Sequence, residues 1–234
     1  MTRLGITRQI SQLDNITRAA RNRGVEVVPL PLTKARYLEF SIDDSIISRL
    51  DWIFFTSANG VRSFFDRLRE LDIWLTDRTK IGAVGKKTSK ALAQYDLKTD
   101  FVPREPYGKK MFLEYLESVA ARDETVLFAR AKKIAYDPEQ LFHKAGIKYY
   151  SVVGYETVEN DIPDGEIALL TATDYILYTA PSAVRSYQNR FGKPVARSIA
   201  IGRTTAEEMK QNNWEIFKIM DIPDVDLILD YVEV

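Results

Sequence analysis

The residues best suited to chemistry lie in short turns, each of which follows an apolar run. These turns combine hydroxyl, glycine and basic residues, and they are Thr7-Arg8, Thr56-Ser57, Gly85–Thr88, Arg130–Lys133, Thr179–Ser182 and Gly202–Thr205. A helix that begins at such a turn presents free backbone N–H groups and a partial positive charge, which favour anions. Any one hydroxyl is typical of a helix N-cap. Recurrence of the turns, with the cations Arg8, Lys86, Arg130 and Arg203 beside them, predicts instead a polyanionic ligand held between two lobes.

The elements that position these turns alternate between strands and helices. The predicted strands are Leu4–Thr7, Val25–Leu30, Trp52–Phe55, Ile81–Val84, Thr125–Phe128, Ile147–Val153, Tyr175–Tyr178 and Ser198–Ile201. The predicted helices are Ser11–Asn22, Gly60–Glu70, Thr88–Tyr95, Met111–Ala120, Pro138–Ala145, Ser182–Phe191 and Thr204–Asn212. Short apolar strands that alternate with amphipathic helices indicate an α/β fold, with parallel sheets flanked by helices. Ligands bind such sheets beyond the carboxyl ends of the strands, which is where the turns lie.

The chain also repeats its landmarks at a spacing of about 120 residues, which indicates a duplicated α/β unit. Gly24 corresponds to Gly146, and the turn at Thr56-Ser57 corresponds to the one at Thr179-Ala180. A tandem duplication would place the boundary near residue 122. Alternatively, the segments Val25–Leu32 and Tyr149–Glu159 both cross between the lobes, which leaves one lobe discontinuous. The pattern of the residues does not decide between these arrangements.

Composition excludes several classes of site. The chain has 234 residues, no cysteine and one histidine, His143, so a thiolate nucleophile, a Cys-based zinc site and a multi-His metal site are excluded, and no metal is expected. Its 33 basic and 33 acidic residues balance, which argues against a nucleic-acid partner. No stretch approaches the about 18 apolar residues of a membrane span, and the first residues lack the apolar core of a signal peptide. We therefore expect a cytoplasmic protein with no membrane partner.

Four segments and two shorter signals together resemble the uroporphyrinogen-III synthase family. The segments are Phe54–Val61, Ala83–Thr88, Pro181–Val184 and Ala200–Thr205, and the shorter signals are Thr7-Arg8 and Gly154–Thr157. The resemblance spans nearly the whole chain. It implies two similar lobes joined by a two-stranded linker, the first lobe being built from both ends of the chain. The expected lobe 1 comprises residues 1–32 and 158–234, lobe 2 comprises 37–148, and the linkers lie at about 33–36 and 149–157.

The resemblance further implies cyclisation of hydroxymethylbilane to uroporphyrinogen III, with inversion of the last pyrrole ring and loss of water, and with no cofactor. The substrate is then a linear tetrapyrrole with eight carboxylates, which suits anion-binding turns. Because this substrate also closes unaided to the uninverted isomer, the main task is to control its conformation. The resemblance leaves open a transient contact with the enzyme that makes hydroxymethylbilane. A monomer is expected, since no coiled-coil heptad stands out.

Site residues follow partly from the resemblance and partly from the cations that stand beside the turns. Tyr155 matches the family tyrosine proposed near the product, and it is the expected proton donor or water-binding partner. The expected substrate-binding residues are Arg8, Thr56, Ser57, Lys86, Thr88, Arg130, Thr179, Ser182, Arg203, Thr204 and Thr205. The chain departs from the family pattern at Ala180, where a hydroxyl is common, and at Lys86 and Arg203, where proline is frequent.

A second hypothesis keeps the fold and removes the catalysis. A two-lobed binding module that closes on an anionic metabolite would need the same turns and the same hinge motion. A nucleotide-dependent transferase is disfavoured, because neither GxGxxG nor GxxxxGK[ST] occurs in the chain. The synthase and the binding module differ only in turnover.

Overall fold

A computed structural model describes residues 1–121, 123–162 and 172–233 of the chain. The chain divides into two compact units. Unit 1 comprises Met1–Lys34 and Val158–Val234, and unit 2 comprises Ala35–Thr157. The chain passes from unit 1 to unit 2 and returns once, so unit 1 is discontinuous in sequence.

Unit 1 is built on a five-stranded sheet. Its strands are β1 (Thr2–Ile6), β2 (Val25–Pro29), β8 (Tyr175–Tyr178), β9 (Arg197–Ala200) and β10 (Lys218–Ile219). They lie in the order β10-β9-β8-β1-β2, and each neighbouring pair is parallel. Its helices are α1 (Asp14–Arg21), α7 (Pro181–Phe191) and α8 (Arg203–Gln211), and a 3-10 helix covers Val225–Tyr231.

Unit 2 is built on a second five-stranded sheet. Its strands are β3 (Thr33–Tyr37), β4 (Trp52–Phe55), β5 (Lys80–Ala83), β6 (Thr125–Ala131) and β7 (Lys148–Glu159). They lie in the order β3-β7-β6-β4-β5. The helices are α2 (Asp44–Ile47), α3 (Ala58–Glu70), α4 (Lys86–Ala93), α5 (Gly108–Ser118) and α6 (Glu139–Lys144). Strands β3 and β7 extend across the boundaries between the units.

Helices cover both faces of each sheet, and this explains the continuous apolar runs of the strands. In β4 all four residues are buried, and Phe54 and Phe55 belong to two different core clusters. Because successive side chains of a strand point to opposite faces, one cluster lies on each side of the sheet. Unit 1 is arranged in the same way, with Leu4 in one core cluster and Val28 in the other.

The two sheets share one strand order when they are matched through the sequence repeat. β2-β1-β8-β9 of unit 1 corresponds to β7-β6-β4-β5 of unit 2. Beside β5, a parallel bridge joins Gly82 to Phe101, and it corresponds to the pairing of β10 with β9 in unit 1. The predicted α/β fold, with two similar lobes and parallel sheets flanked by helices, is confirmed. The strand order reverses between β1 and β8 and between β6 and β4, and a crevice for ligands is expected beyond such points.

Several elements differ from the sequence predictions. Strand β3 and the short elements α2 and β10 were not predicted, and β7 continues to Glu159, beyond the predicted end at Val153. β3 reads Thr-Lys-Ala-Arg-Tyr and is mostly exposed, so it lacks the apolar run by which the other strands were recognised. The expected lobe 1 also includes residues 163–171, which lie outside the described residues.

Candidate active site

The predicted site residues lie near the carboxyl ends of parallel strands in the two sheets, and Tyr155 lies within β7, opposite the end of β6. Unit 1 carries Arg8 after β1, Thr179 and Ser182 after β8, and Arg203, Thr204 and Thr205 after β9. Unit 2 carries Thr56 and Ser57 after β4, Lys86 and Thr88 after β5, Arg130 as the second-last residue of β6, and Tyr155 in β7. Because the strands that carry these residues are parallel to one another within each sheet, their ends share one edge, and each unit presents one set of predicted residues.

Ser57 is the N-cap of α3, and it also contacts Tyr155. Its Oγ accepts a hydrogen bond from Gly60 N at 3.0 Å, which satisfies one of the free N–H groups of the helix. A second hydrogen bond joins Ser57 Oγ to Tyr155 Oη at 2.7 Å. The predicted hydroxyl therefore serves as a cap and as the partner of the predicted proton donor.

Tyr155 follows an irregularity in the pairing of β6 with β7. Arg130 pairs with Val153, but Ala131 pairs with Tyr155, so Gly154 is the extra residue of a bulge. A bulge redirects the side chains that follow it. Tyr155 is 8% exposed, and its burial raises the pKa of the phenol, whereas the hydrogen bond with Ser57 opposes that rise.

Gly154 lies where α3 approaches β7 closely. A Cβ at this position would lie 2.5 Å from Ser63 Oγ, which is closer than van der Waals contact allows. Ser63 is buried, and its hydroxyl donates to Gly60 O at 3.2 Å. The role of Ser63 was not predicted from the sequence. The available signal was a pair of small residues, one on the helix and one beside Tyr155.

Basic residues near the bulge are tied to neighbours in unit 2. Arg130 Nη1 donates to Ala131 O at 3.2 Å, which leaves the half-buried guanidinium beside its own strand. Glu156 lies between Arg36 and Lys132, with Lys132 Nζ at 3.1 Å from Glu156 Oε2. These two cations hold the pKa of the Glu156 carboxyl below its ordinary value. This charge cluster was not predicted, because Arg36 and Glu156 lie far apart in the sequence.

The turns after β5 and β9 are similar. The N-cap residues of helices α4 and α8 are Gly85 and Gly202, which have no side chain to cap the first N–H groups. The predicted Thr88 and Thr205 are buried, at 3% and 1% exposure. The predicted Lys86, Arg203 and Thr204 are exposed, and neither cation forms an ion pair with any residue that the structure describes.

Unit 1 has a threonine pair at the point where its strand order reverses. Thr179 N donates to Thr7 Oγ1 at 2.8 Å, and Thr179 Oγ1 donates to Thr7 O at 2.9 Å. The Thr179 hydroxyl predicted to bind substrate is thus engaged within the unit. Helix α7 begins after Ala180 without a side-chain cap and has Pro181 in its first turn. Ser182 is half-buried in the same turn.

Arg8 is a half-buried cation at the same edge of unit 1. Burial lowers the pKa of its guanidinium, and the nearby carboxylates of Asp224 and Asp226 act in the opposite direction. It forms no ion pair within the described ranges 1–121, 123–162 and 172–233. A desolvated guanidinium of this kind favours an anion that reaches it.

A large cavity of about 840 Å³ lies at the opposite edge of unit 1. Its lining includes Thr2, Tyr175 and Arg197, which begin β1, β8 and β9. The charged groups there are mixed, and Arg197 is paired with Glu233 at 2.8 Å. Because this cavity lies at the amino ends of the strands and balances its charges, it does not match the predicted anion site.

The described part of the chain contains no group of three or more His, Asp or Glu side chains that could hold a metal ion. His143 is exposed on α6. None of the described helices has both the length and the apolar character needed to cross a bilayer.

Comparison with known proteins identifies similar sequences and folds. The family model described as uroporphyrinogen-III synthase HemD matches residues 14–230. A porphyrin biosynthesis protein HemD from Ruminiclostridium josui is 30% identical over 88% of this chain, and the chain spans 41% of that relative's length. A uroporphyrinogen-III synthase from Chlorobaculum parvum is 22% identical over 88% of this chain and 87% of that protein. The crystal structure of uroporphyrinogen-III synthetase from Helicobacter pylori, 20% identical, covers 99% of this chain and 98% of its own, with a TM-score of 0.69.

Proposed function

Because the chain belongs to the uroporphyrinogen-III synthase family, we propose that it closes hydroxymethylbilane to uroporphyrinogen III, inverting the last pyrrole ring and releasing water. The match of the family model to residues 14–230 is the observation that carries this proposal. The proposal makes the chain a cofactor-independent hydro-lyase of the cytoplasm, with a linear tetrapyrrole as substrate. Units 1 and 2 are proposed as the two lobes of the enzyme.

Substrate binding is assigned to the carboxyl edges of the two sheets. The substrate carries eight carboxylates, and helices α4, α7 and α8 begin there without side-chain caps. Backbone N–H groups at such helix starts bind carboxylates, and the exposed cations Lys86 and Arg203 add charge beside them. Thr56, Ser182 and Thr204 are the predicted hydroxyls that lie at least partly exposed and make no hydrogen bond with described side chains.

Catalysis is assigned to positioning and to one proton transfer. As the C–O bond of the hydroxymethyl group breaks, the pyrrole nitrogen supplies electrons and the oxygen leaves as water after taking one proton. When the substituted carbon of the last ring attacks, a C–C bond forms, and the resulting spirocyclic pyrrolenine releases one proton, which restores the proton balance. The older bond from that carbon to its methylene bridge then breaks, the bridge bonds to the unsubstituted carbon of the same ring, and the hydrogen of that carbon moves to the ring nitrogen, so that the ring is inverted. Tyr155, buried and held by Ser57, is the proposed donor of the first proton.

The experiment that tests the function is isomer analysis of the product. Hydroxymethylbilane is generated in situ, the purified chain is added, and the oxidised porphyrins are separated into types I and III. The synthase predicts a switch to type III that increases with the amount of protein. Only type I product, from folded protein that binds the tetrapyrrole, would support the non-catalytic binding module instead. Sedimentation of the same sample tests the proposed monomer, with and without the enzyme that supplies the substrate.

A further inference from the structure

We propose that Ser57 is a positioning residue. Its hydroxyl donates a hydrogen bond to Tyr155 Oη, which leaves the Tyr155 proton free for transfer to the substrate. This inference rests on the proposed function. It replaces the sequence-based role of Ser57, in which the hydroxyl binds a substrate carboxylate directly.

The direction of the hydrogen bond follows from the cap. A backbone N–H only donates, so the 3.0 Å contact from Gly60 N occupies one lone pair of Ser57 Oγ. A serine hydroxyl has one proton and two lone pairs. Within the described residues the hydroxyl has one other partner, Tyr155 Oη at 2.7 Å. If Ser57 donates the hydrogen bond to Tyr155, its hydroxyl proton has an acceptor. If Tyr155 donated instead, the Ser57 proton would have no acceptor among the described residues.

The same direction leaves Tyr155 ready to act. A phenol oxygen that accepts a hydrogen bond retains its own proton for donation. Among described residues Tyr155 Oη has Ser57 as its hydrogen-bond partner and no other. A donor beside the phenol also favours the phenolate that remains after transfer, which opposes the rise in pKa caused by burial.

Both partners are fixed by the same helix. Ser57 is the N-cap of α3, a helix of 13 residues. Ser63 on that helix packs against Gly154, the residue directly before Tyr155. The contacts at Ser57 and Ser63 therefore hold β7 at two points. A side chain so fixed is suited to orienting a donor, since small misplacements of reacting groups reduce rates strongly.

The test compares Ser57→Gly, Ser57→Thr, Tyr155→Phe and the double variant Ser57→Gly/Tyr155→Phe. Glycine is chosen because it costs a helix N-cap only a few tenths of a kcal/mol relative to serine, so α3 is retained. Threonine keeps the hydroxyl. Unfolding midpoints check that each variant is folded, and kcat and KM are measured for formation of the type III product.

We expect Ser57→Gly to lower kcat to within about two-fold of the value for Tyr155→Phe, with KM nearly unchanged. Ser57→Thr should recover most of the lost rate. In the Tyr155→Phe background, Ser57→Gly should have no further effect on kcat, because it acts through the missing phenol. A rise in KM that persists in the Tyr155→Phe background would show that Ser57 binds substrate, and would overturn the proposal.

A second measurement tests the hydrogen bond between Ser57 and Tyr155 without measuring turnover. With ¹³Cζ-labelled tyrosine, the Tyr155 resonance is assigned by its loss in Tyr155→Phe. Ser57→Gly should then shift its titration to higher pH, and Ser57→Thr should restore it; an unchanged titration contradicts the proposal. If the wild-type chain forms only type I product, the proposed function fails, and this titration still shows whether Ser57 donates to Tyr155.

Discussion

At the scale of single residues, the Tyr155 hydroxyl combines a transferable proton with a fixed position. Burial raises the pKa of the phenol, so it remains protonated at neutral pH and can give a proton to the substrate but cannot take one as a base. A phenol is nevertheless a weak acid, with an ordinary pKa of about 10. Departure of the substrate hydroxyl is also assisted by the pyrrole nitrogen, so part of the reaction does not depend on Tyr155.

Tyr155→Phe should therefore slow formation of the type III product without abolishing it. We expect a loss in kcat of at most about 100-fold, the lower end of what general acid catalysis contributes. The measurement is initial-rate isomer analysis, with the unfolding midpoint as the control for stability. Full wild-type kcat in the variant would remove Tyr155 from the mechanism.

Glu156 gives a prediction about pH. Its pKa is lowered in the folded chain by Arg36 and Lys132, so the unfolded state binds a proton more readily. The resulting stabilisation is present above the ordinary carboxyl pKa, and it is lost as pH falls through the lowered value. Glu156→Gln should be less stable than wild type at pH 7, and the difference should vanish under acid conditions.

Urea unfolding of the wild-type protein and of Glu156→Gln, from neutral pH down to about pH 3, measures this difference in stability. An exposed pair elsewhere, Arg23 with Asp230 at 3.0 Å, supplies the control. Asp230→Asn should change stability little, because exposed ion pairs contribute little. A gap between Glu156→Gln and wild type that stays constant with pH would contradict the assigned cause.

At the scale of elements, the bulge in β7 determines where Tyr155 points. Gly154 is the extra residue, and the approach of Ser63 leaves no room for a Cβ. Gly154→Ala should destabilise unit 2 by about 1–3 kcal/mol, the usual cost of overpacking, and it should lower kcat through displacement of Tyr155. Urea unfolding and isomer analysis are the two measurements.

A second substitution makes this prediction specific. Ser63→Ala removes the Oγ that lies 2.5 Å from the added methyl group, and the remaining Ser63 Cβ lies 3.3 Å away. The double variant should regain part of the stability and of the rate lost in Gly154→Ala. Additive losses in the double variant would show that the steric conflict lies elsewhere.

The elements also show what could be predicted from the sequence. Buried strands such as β4 were located because four consecutive apolar residues mark a strand covered on both faces. The edge strand β3 was missed, since its exposed Lys34 and Arg36 carry no apolar run. Tyr155 was found through family resemblance, but its contact with Ser57 was not, because a bulge depends on pairing between distant strands and leaves no periodic signal.

At the scale of the whole molecule, 33 basic and 33 acidic residues leave no net charge. Attraction of a polyanionic substrate must then come from local cations such as Lys86 and Arg203. Raising NaCl from about 0.1 M to about 1 M shortens the screening length from about 10 Å to about 3 Å. We expect KM to rise several-fold over this range while kcat changes little.

Lys86→Gln should raise KM at low salt and weaken its salt dependence. Lys144→Gln is the matched control, because Lys144 is exposed at the end of α6 and precedes β7, at the amino edge of the same sheet. That variant should keep the wild-type dependence on salt. Equal effects of the two substitutions would indicate that the carboxyl edge has no special part in binding.

The discontinuity of unit 1 has a consequence for synthesis on the ribosome. β1 pairs with β8, and the hydrogen bond from Arg3 N to the Asp174 side-chain Oδ2 spans 171 positions. All of unit 2, Ala35–Thr157, emerges before the second part of unit 1. At about 5–20 residues per second, the about 170 residues between β1 and β8 take roughly 8 to 34 seconds to synthesise, and during this time β2 is the only neighbouring strand that β1 has. Unit 2 is thus the first unit to have its entire chain available, whereas the sheet of unit 1 cannot be completed until its second part has been synthesised.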